Sequence, residues 1–268
     1  MDKVRRLRAL GEGLAREGTE KEDTAGRVKV YALGTGRVVR DGNAVSASEW
    51  QAAMARELFF YILLSGPAER DAIGLVFWPD LPAKRMANNF HSTVYRVRRA
   101  VGANAVVLRN GEYGVGLDYW LDVDEFVSLV ERARLLPPHD WQAEELWRRA
   151  AELYGGDLLP EVDRPWCVAT REALRRMYIR VLISVGRCRE ARRALDDAIE
   201  WYRRALRVDP LREDVHRRIM EAYLAAGRRS DALIQFSRCR EALSRELDVE
   251  PSAETLRVRE RVAGGMPK

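Results

Sequence analysis

Apolar and polar positions alternate along the chain from residue 28. Residues 28–33 alternate in this way, and a second short apolar run follows the Gly-Thr-Gly turn at 34–36. The chain turns again at Asp41-Gly42-Asn43 before Ala44 and Val45. Alternation that is bounded by turn residues predicts the strands of a small β-sheet.

The period then changes to that of helices. Apolar residues recur at helical spacing across residues 50–64 and again across residues 69–77. The first run stops at Ser65-Gly66-Pro67, which is a typical end of a helix. A third helix is predicted from Lys84 to Val101. Four apolar residues share one of its faces: Phe90, Val94, Val97 and Val101. This spacing predicts that the face packs into a core.

The opposite face of the third helix is basic and polar. A rotation of about 100° per residue places these side chains there: Arg85, Asn88, Ser92, Tyr95, Arg96 and Arg99. Residues 81–111 carry six basic side chains and no acidic one. Arg and Asn pair well with guanine and adenine edges, and basic side chains also bind phosphates. The pattern indicates a helix that reads DNA, although solvated basic helix faces are also common.

The order of the elements favours the DNA-reading interpretation. Two predicted strands, 105–108 and 113–117, flank Arg109-Asn110-Gly111-Glu112, and Asn-Gly is a strong hairpin signal. A small sheet, three helices and a hairpin, in that order, are the layout of a winged helix. In that fold the third helix enters the major groove, and the hairpin, or wing, lies along the backbone or the minor groove.

From residue 122 onward the pattern is almost wholly helical. Seven helices are predicted there: 123–135, 141–154, 164–185, 188–207, 211–226, 230–246 and 252–263. We therefore predict a charged leader at 1–27, an α+β winged-helix domain at 28–121 and an all-α domain at 122–268.

The helical part contains a repeat of 34 residues. A small–aromatic–small triplet in one copy recurs in the next: Ala198, Tyr202 and Ala205, then Ala232, Phe236 and Cys239. This period and these residue types are typical of tetratricopeptide repeats, whose stacked helix pairs form concave surfaces for protein partners. A plain helical bundle is the alternative. A proline follows each copy, Pro210 the first and Pro251 the second. Pro251 comes seven residues later than the repeat would place it, which predicts that the helix of the second copy is extended.

Size and charge agree with two domains of unequal character. The 268 residues, 47% of them hydrophobic, are sufficient for two cores. Residues 28–121 carry 11 basic and 8 acidic side chains, whereas residues 122–268 carry 28 and 27. Attraction to phosphate is therefore expected of the first half. The three cysteines lack the spacing of metal ligands, and no apolar run resembles a signal peptide or a membrane span, so we expect a cytoplasmic protein without a membrane partner.

The sequence lacks the motifs of the common enzyme classes. It contains no GxxxxGK[ST] phosphate loop, no GxSxG elbow and no HExxH pair. Gly34-Thr35-Gly36 is too short for a dinucleotide fingerprint, and a hairpin turn explains it. We expect a protein that is not an enzyme and that needs no metal or cofactor.

The two halves together resemble the SARP-type (antibiotic-regulatory-protein) family of bacterial transcription activators. These proteins join a response-regulator-type winged helix to a bacterial transcriptional activator domain of tetratricopeptide-like helices. The resemblance covers about 28–263 and is carried by seven segments: 77–80 (Phe-Trp-Pro-Asp), 89–102, 111–115, 153–159, 207–214, 225–228 and 246–255. It implies an activator that binds repeated half-sites in double-stranded DNA near a promoter, often as a side-by-side dimer, and that contacts RNA polymerase.

Together with the helical wheel, the resemblance predicts the following DNA-contacting residues: Lys84, Arg85, Asn88, Asn89, His91, Ser92, Tyr95, Arg96, Arg98, Arg99, Arg109, Asn110 and Tyr113. Arg96 and Asn88 are predicted to contact bases, and Tyr113 is predicted to brace the wing. Phosphate contacts are predicted for Arg85, Arg98, Arg99 and Arg109. Arg98 points partly sideways on the wheel, so covering apolar surface is its alternative role.

Two further interpretations remain open at this point. In one, the protein is a tetratricopeptide adaptor whose winged helix no longer reads DNA. In the other, the helical half senses a small effector of unknown identity, for which Arg192-Arg193 and Arg203-Arg204 are candidate anion ligands. Solvated repeat faces explain these arginines equally well.

Overall fold

The structure, a computed structural model, describes residues 28–138 and 140–264, which form two compact units. The first unit comprises the described part of Met1–Phe126 together with Tyr154–Leu174, and the second comprises the described parts of Val127–Leu153 and Arg175–Lys268. The leader predicted at 1–27 lies outside the described residues. The division reflects which residues contact one another in the folded chain. Residues 154–174 therefore belong to the first unit, although they follow the predicted domain boundary at 121.

A four-stranded sheet begins the first unit. Its strands are β1 (Val28–Tyr31), β2 (Arg37–Arg40), β3 (Asn43–Ala44) and β7 (Tyr119–Leu121), in the order β3-β2-β1-β7. The strands predicted from alternation are present as an antiparallel run. The parallel pairing of β1 with β7, in which Val28 lies opposite Tyr119, was not predicted.

The first predicted helix, 50–64, consists of two helices, α1 (Ala47–Trp50) and α2 (Ala53–Ser65). A capping box starts α1 earlier than predicted, because the Ser46 N–H donates to the Glu49 carboxylate at 2.8 Å and the Glu49 N–H donates to Ser46 Oγ at 3.3 Å. Gln51 adopts a left-handed conformation with φ 61° and ends α1 after one turn. The predicted start of this helix was therefore wrong.

The winged-helix elements follow in the predicted order. They are β4 (Ala68–Glu69), α3 (Arg70–Phe77), α4 (Ala83–Val101), β5 (Val107–Arg109) and β6 (Glu112–Gly114). The hairpin of β5 and β6 is confirmed, and β4 extends it to a three-stranded sheet in the order β4-β6-β5. Helices α3 and α4 approach closely at Gly74, where a Cβ would overlap the side chain of Met86.

Residues 154–174 form part of the first unit through direct backbone contacts. The Leu159 N–H donates to the Ala32 carbonyl at 3.0 Å, and the Gly34 N–H donates to the Asp157 carbonyl at 3.1 Å. At Gly155 a Cβ would lie 2.9 Å from a backbone carbonyl oxygen, so this close approach requires glycine. The turn at 34–36 therefore serves as a packing site for a segment more than a hundred residues later.

Asp122 ties the end of β1 to the helix α5 (Asp122–Arg134). Its buried carboxylate accepts the Ala32 N–H at 2.8 and 2.9 Å and the Leu33 N–H at 2.9 Å. Burial raises the pKa of Asp122, and these N–H donors act in the opposite direction. Burial, followed by the charge of Asp122, raises the pKa of the neighbouring Asp124 to about 6.

The remaining helices are α6 (Trp141–Leu153), α7 (Pro165–Ala191), α8 (Leu195–Val208), α9 (Glu213–Ala225), α10 (Arg229–Leu247) and α11 (Ala253–Gly264). Most predicted boundaries agree within two residues, but the predicted break between 185 and 188 is wrong. Gly186 lies inside α7, where a Cβ would overlap the ring of Tyr202, so this glycine serves helix packing. The chain turns later, near Arg193, which has φ 61°.

The predicted repeat is visible in the second unit. Tyr202 is fully buried between small residues, as expected, and its hydroxyl donates to Glu190 at 2.7 Å. Phe236, its counterpart in the next copy, is only half-buried and lies beside the Arg259 guanidinium. Helix α10 has 19 residues against the 14 of α8, which confirms the extended second copy. Across the described residues, no helix is long and apolar enough to cross a membrane.

Candidate nucleic-acid interface

Helix α4 is held in the first unit by one buried face. Phe90 and Val97 are fully buried, and Val94 and Val101 are nearly so, which confirms the predicted core face. At the C-terminal end of α4, Arg40 Nη1 donates to the Ala100 carbonyl at 2.8 Å and satisfies one of the open backbone acceptors. These contacts fix the helix along its length, and among the described residues most of its other face is exposed.

That other face carries the predicted DNA-contacting residues. The exposed ones are Lys84, Arg85, Asn88, Asn89, His91, Ser92, Tyr95, Arg98 and Arg99, whereas Arg96 is half-buried. Tyr95 exposes 61% of its surface, a large fraction for an aromatic side chain. The structure therefore brings the predicted residues of α4 together on one accessible surface.

On this surface Glu112 lies opposite Arg109 in the wing, but the basic side chains of α4 have no acidic neighbour within the helix. No acidic residue occurs between 81 and 111. Among the described residues, no ion pair forms with Lys84, Arg85, Arg96, Arg99 or Arg109. Uncompensated cations on one face produce a local positive potential, which attracts a polyanion and raises its rate of association.

A shallow depression adjoins the middle of α4. It is lined by His91, Ser92, Tyr95 and Arg96 from the helix and by Gln51 from the junction of α1 and α2. Gln51 has a left-handed backbone conformation and lies beside α4. Sequence reasoning missed this residue because it lay inside a predicted continuous helix, and no sequence signal distinguished it.

The wing is connected to α4 by an aromatic contact. Asn110 and Gly111 have φ values of 52° and 85° at the tip of the hairpin, as expected of an Asn-Gly turn. Tyr113 of β6 packs edge-on against Phe90, with ring centroids 4.6 Å apart. Arg109 and Asn110 are exposed at the tip, and Tyr113 is half-buried. The predicted wing residues thus divide into two exposed polar groups and one packing group.

Arg98 differs from the other arginines of α4. Its Nε donates to the Val106 carbonyl at 2.9 Å and so links the end of the helix to the strand that begins the wing. This bond gives Arg98 a role within the protein, beside the phosphate contact predicted for it. The remaining guanidinium N–H groups of Arg98 stay available for a phosphate.

The described residues contain no group of His, Cys, Asp and Glu that is able to hold a metal ion. Cys167, Cys188 and Cys239 are buried free thiols. Burial raises the pKa of Cys188 and raises that of Cys239 to about 12, which keeps both thiols protonated near neutral pH.

A winged helix with a basic third helix, followed by tetratricopeptide-like helices, defines a class of bacterial transcription regulators. Residues 121–263 match the family described as "Bacterial transcriptional activator domain". The match includes more than half of the chain, so the chain belongs to this family, and a winged helix followed by this domain is the organisation of SARP-type regulators.

Two curated relatives are regulatory proteins of Streptomyces. Regulatory protein AfsR of Streptomyces coelicolor is 25% identical over 261 residues, which are 92% of this chain and 25% of that protein. Regulatory protein AfsR of Streptomyces griseus is 25% identical over 253 residues, which are 89% of this chain and 25% of that protein. The chain therefore spans about a quarter of the length of these relatives.

Among solved structures, the chain is similar to Mycobacterium tuberculosis EmbR in complex with a low-affinity phosphopeptide. The TM-score is 0.71 at 19% sequence identity, and the similarity covers 90% of this chain and 66% of the EmbR chain. At this identity the similarity shows the fold, a winged helix followed by a helical domain.

Proposed function

We propose that this chain activates transcription by reading DNA with residues 28–121 and by engaging RNA polymerase or another protein with residues 122–268. The observation that carries the proposal is the accessible face of α4, which is basic, lacks acids and is backed by a fully buried apolar face. A helix of this kind has the dimensions and the charge to enter the major groove, which is about 12 Å wide.

The length of α4 suits this role. Its 19 residues extend about 28 Å at a rise of roughly 1.5 Å per residue, enough to follow several base pairs. Asn88, Ser92, Arg96 and Arg99 succeed one another at spacings of three and four, so they form a row along the helix. A row of donors and acceptors along the groove floor is the arrangement that direct readout needs.

We assign base contacts to Asn88 and Arg96. Arg96 is half-buried in the depression that Gln51 completes, so its side chain has fewer rotamers to lose on binding than a fully exposed arginine. An Arg that pairs with guanine in a bidentate manner contributes about 1–3 kcal/mol of discrimination. Arg85, Arg99 and wing residue Arg109 are assigned to phosphates, where they fix the register and add affinity for any sequence.

Binding as a side-by-side dimer on repeated half-sites follows from the family resemblance. Two copies in the same orientation would place their α4 helices on one side of the duplex, so the half-sites would be spaced by about one helical turn, roughly 10–10.5 base pairs. A small-molecule effector has no assigned place in this proposal.

The test is selection of double-stranded DNA by the whole chain from a random-sequence pool, repeated at two salt concentrations. The Arg96→Ala/Arg99→Ala double variant is compared with Arg238→Ala/Arg240→Ala, which removes the same charge from exposed positions of α10. We expect the unaltered chain and the α10 variant to enrich one repeated motif, with affinity falling steeply as salt rises. The α4 variant should lose at least tenfold in affinity while remaining folded by circular dichroism.

Unchanged binding by the folded α4 variant would contradict the assignment of α4. If no motif is enriched by the unaltered chain at either salt concentration, sequence-specific reading by this chain is refuted. An equal loss in both variants would show that net charge, and not the α4 surface, determines the affinity.

A further inference from the structure

A cleft of about 180 Å³ lies in the second unit, between the end of α5, the start of α6 and the later part of α7. Its apolar lining includes Leu136, Pro137, Pro138 and Trp147. Leu135, which adjoins the cleft in the chain, exposes 86% of its surface. Leucine, proline and tryptophan side chains that surround an open cleft form a receptor for an apolar side chain from another molecule.

Arginines surround this cleft and continue along α7. Arg134 and Arg187 line the cleft itself. Arg180 and Arg176 lie one and two turns from Ser184 of the cleft wall, towards the N-terminus of α7 and on the same stripe of the helix. All four arginines are exposed. Like charges at a spacing of four destabilise a helix by about 0.2–0.5 kcal/mol, so this row is not explained by the stability of α7.

The charge of the row is only partly compensated. Arg134 pairs with Glu131 at 3.1 Å. Within the described part of the chain, Arg176, Arg180 and Arg187 form no ion pair. Partial burial, followed by the charges of Arg134 and Arg176, lowers the pKa of Arg180, in keeping with arginines that lie close together. The surface beside the cleft is therefore strongly positive.

We propose that this cleft and the arginines Arg134, Arg176, Arg180 and Arg187 bind an acidic segment of a partner protein, with one large apolar side chain in the cleft. Charge complementarity selects the acidic segment, and the apolar lining selects its anchor. This inference rests on the proposed role of residues 122–268 in engaging a protein partner, and it supplies the surface and the chemistry of that partner.

The apolar cleft favours a peptide over a nucleic acid. A DNA backbone supplies phosphates for the arginines but no aliphatic or aromatic side chain for the site formed by Leu136, Pro137 and Trp147. An acidic peptide that contains a leucine, phenylalanine or tryptophan supplies carboxylates for the arginines and an apolar side chain for the cleft. Buried apolar anchors at the centre with charged groups at the rim are the usual arrangement of a protein interface.

The experiment uses a phage-displayed library of random 12-residue peptides, selected on the full chain. Enriched peptides are synthesised, labelled and titrated by fluorescence anisotropy at two salt concentrations. The Arg176→Gln/Arg180→Gln variant is compared with Arg238→Gln/Arg240→Gln, which removes the same charge from α10. Binding of a 30-base-pair duplex carrying the selected operator is measured on the same samples.

We expect enriched peptides to combine Asp or Glu with at least one large apolar residue. They should bind the α7 variant at least tenfold more weakly and the α10 variant as tightly as the unaltered chain. Replacing the apolar residue of the peptide with Ser should also weaken binding at least tenfold, and higher salt should weaken it further.

The proposal is overturned by no enrichment, by enriched peptides without acidic residues, or by equal binding to both variants. If instead the α7 variant loses duplex binding and the duplex displaces the peptides, the surface is a DNA contact and the proposal fails. Operator binding that persists while the peptides fail refutes only this inference, whereas loss of operator binding by the α4 variant concerns the DNA-reading function alone.

Discussion

Replacing Asp122 with Ala is expected to loosen the N-terminal sheet selectively. The carboxylate is buried and accepts the backbone N–H groups of Ala32 and Leu33 at 2.8 to 2.9 Å. Alanine leaves both buried donors without an acceptor, and each such loss costs about 1–3 kcal/mol. The substitution also removes the cost of burying a carboxylate, which is the cause of the raised pKa of Asp122, so we expect a net loss of about 2–3 kcal/mol.

Asp122→Asn is the matched comparison. Its amide oxygen can take the position of Oδ2, which accepts both N–H groups at 2.9 Å. The amide NH₂ then faces the Ala32 N–H from the position of Oδ1 and repels it. We therefore expect Asp122→Asn to lower the stability of the N-terminal sheet, but by less than Asp122→Ala does.

Hydrogen exchange followed by mass spectrometry measures this effect locally. A loss of 2–3 kcal/mol corresponds to exchange that is roughly 30- to 150-fold faster. We expect this acceleration in peptides that cover residues 28–36 of Asp122→Ala, while peptides from α9 remain unchanged. Exchange within twofold of the unaltered chain at 28–36 would refute the conclusion that Asp122 holds the end of β1.

Two further substitutions test packing and electrostatics. Gly186→Ala should lower the free energy of unfolding, measured by urea titration, by about 1–3 kcal/mol, because the added Cβ would overlap the buried ring of Tyr202. Gly264→Ala is the control: its Cβ would meet nothing within 4 Å, so this substitution should be neutral. The pKa of Asp124 is raised from 3.8 to about 6. Between these pH values the native state therefore binds more protons than the unfolded state. The free energy of unfolding consequently falls as pH rises through this window. Asp124→Asn should remove this dependence and stabilise the protein by about 1–2 kcal/mol at pH 7 but not at pH 4, and equal effects at both pH values would contradict the assignment.

The sequence patterns predicted those elements whose structure is set locally. Helix α4 has four apolar residues in register over three turns, and the burial of Phe90 and Val97 follows from that spacing. The Asn110-Gly111 turn is equally local, because few other residue pairs tolerate positive φ at two successive positions. The basic face of α4 was predictable for the same reason, since the wheel that buries one face exposes the other.

The pairing between distant segments was not predictable from pattern. The parallel contact of β1 with β7 joins two short strands about 90 residues apart, and residues 154–174 pack against the turn at 34–36 through a few backbone hydrogen bonds. Such contacts are made by backbone groups, which every residue has, so the sequence pattern does not indicate them. The predicted break between 185 and 188 was wrong for a related reason, because the sequence does not show whether a glycine ends a helix or, as Gly186 does, makes room for the ring of Tyr202.

The geometry around α4 also shows how the helix and the wing are held together. The Phe90–Tyr113 ring contact fixes the wing to the middle of the helix, and the Arg98–Val106 hydrogen bond fixes it to the end. Under the proposed function, breaking either link should move the phosphate contacts of the wing relative to the groove. It should leave the base contacts in place, because neither link uses a side chain assigned to a base. The proposed consequence is a uniform loss of affinity across DNA sequences, with the preferred motif unchanged, and this separates the role of the links from that of Asn88 and Arg96.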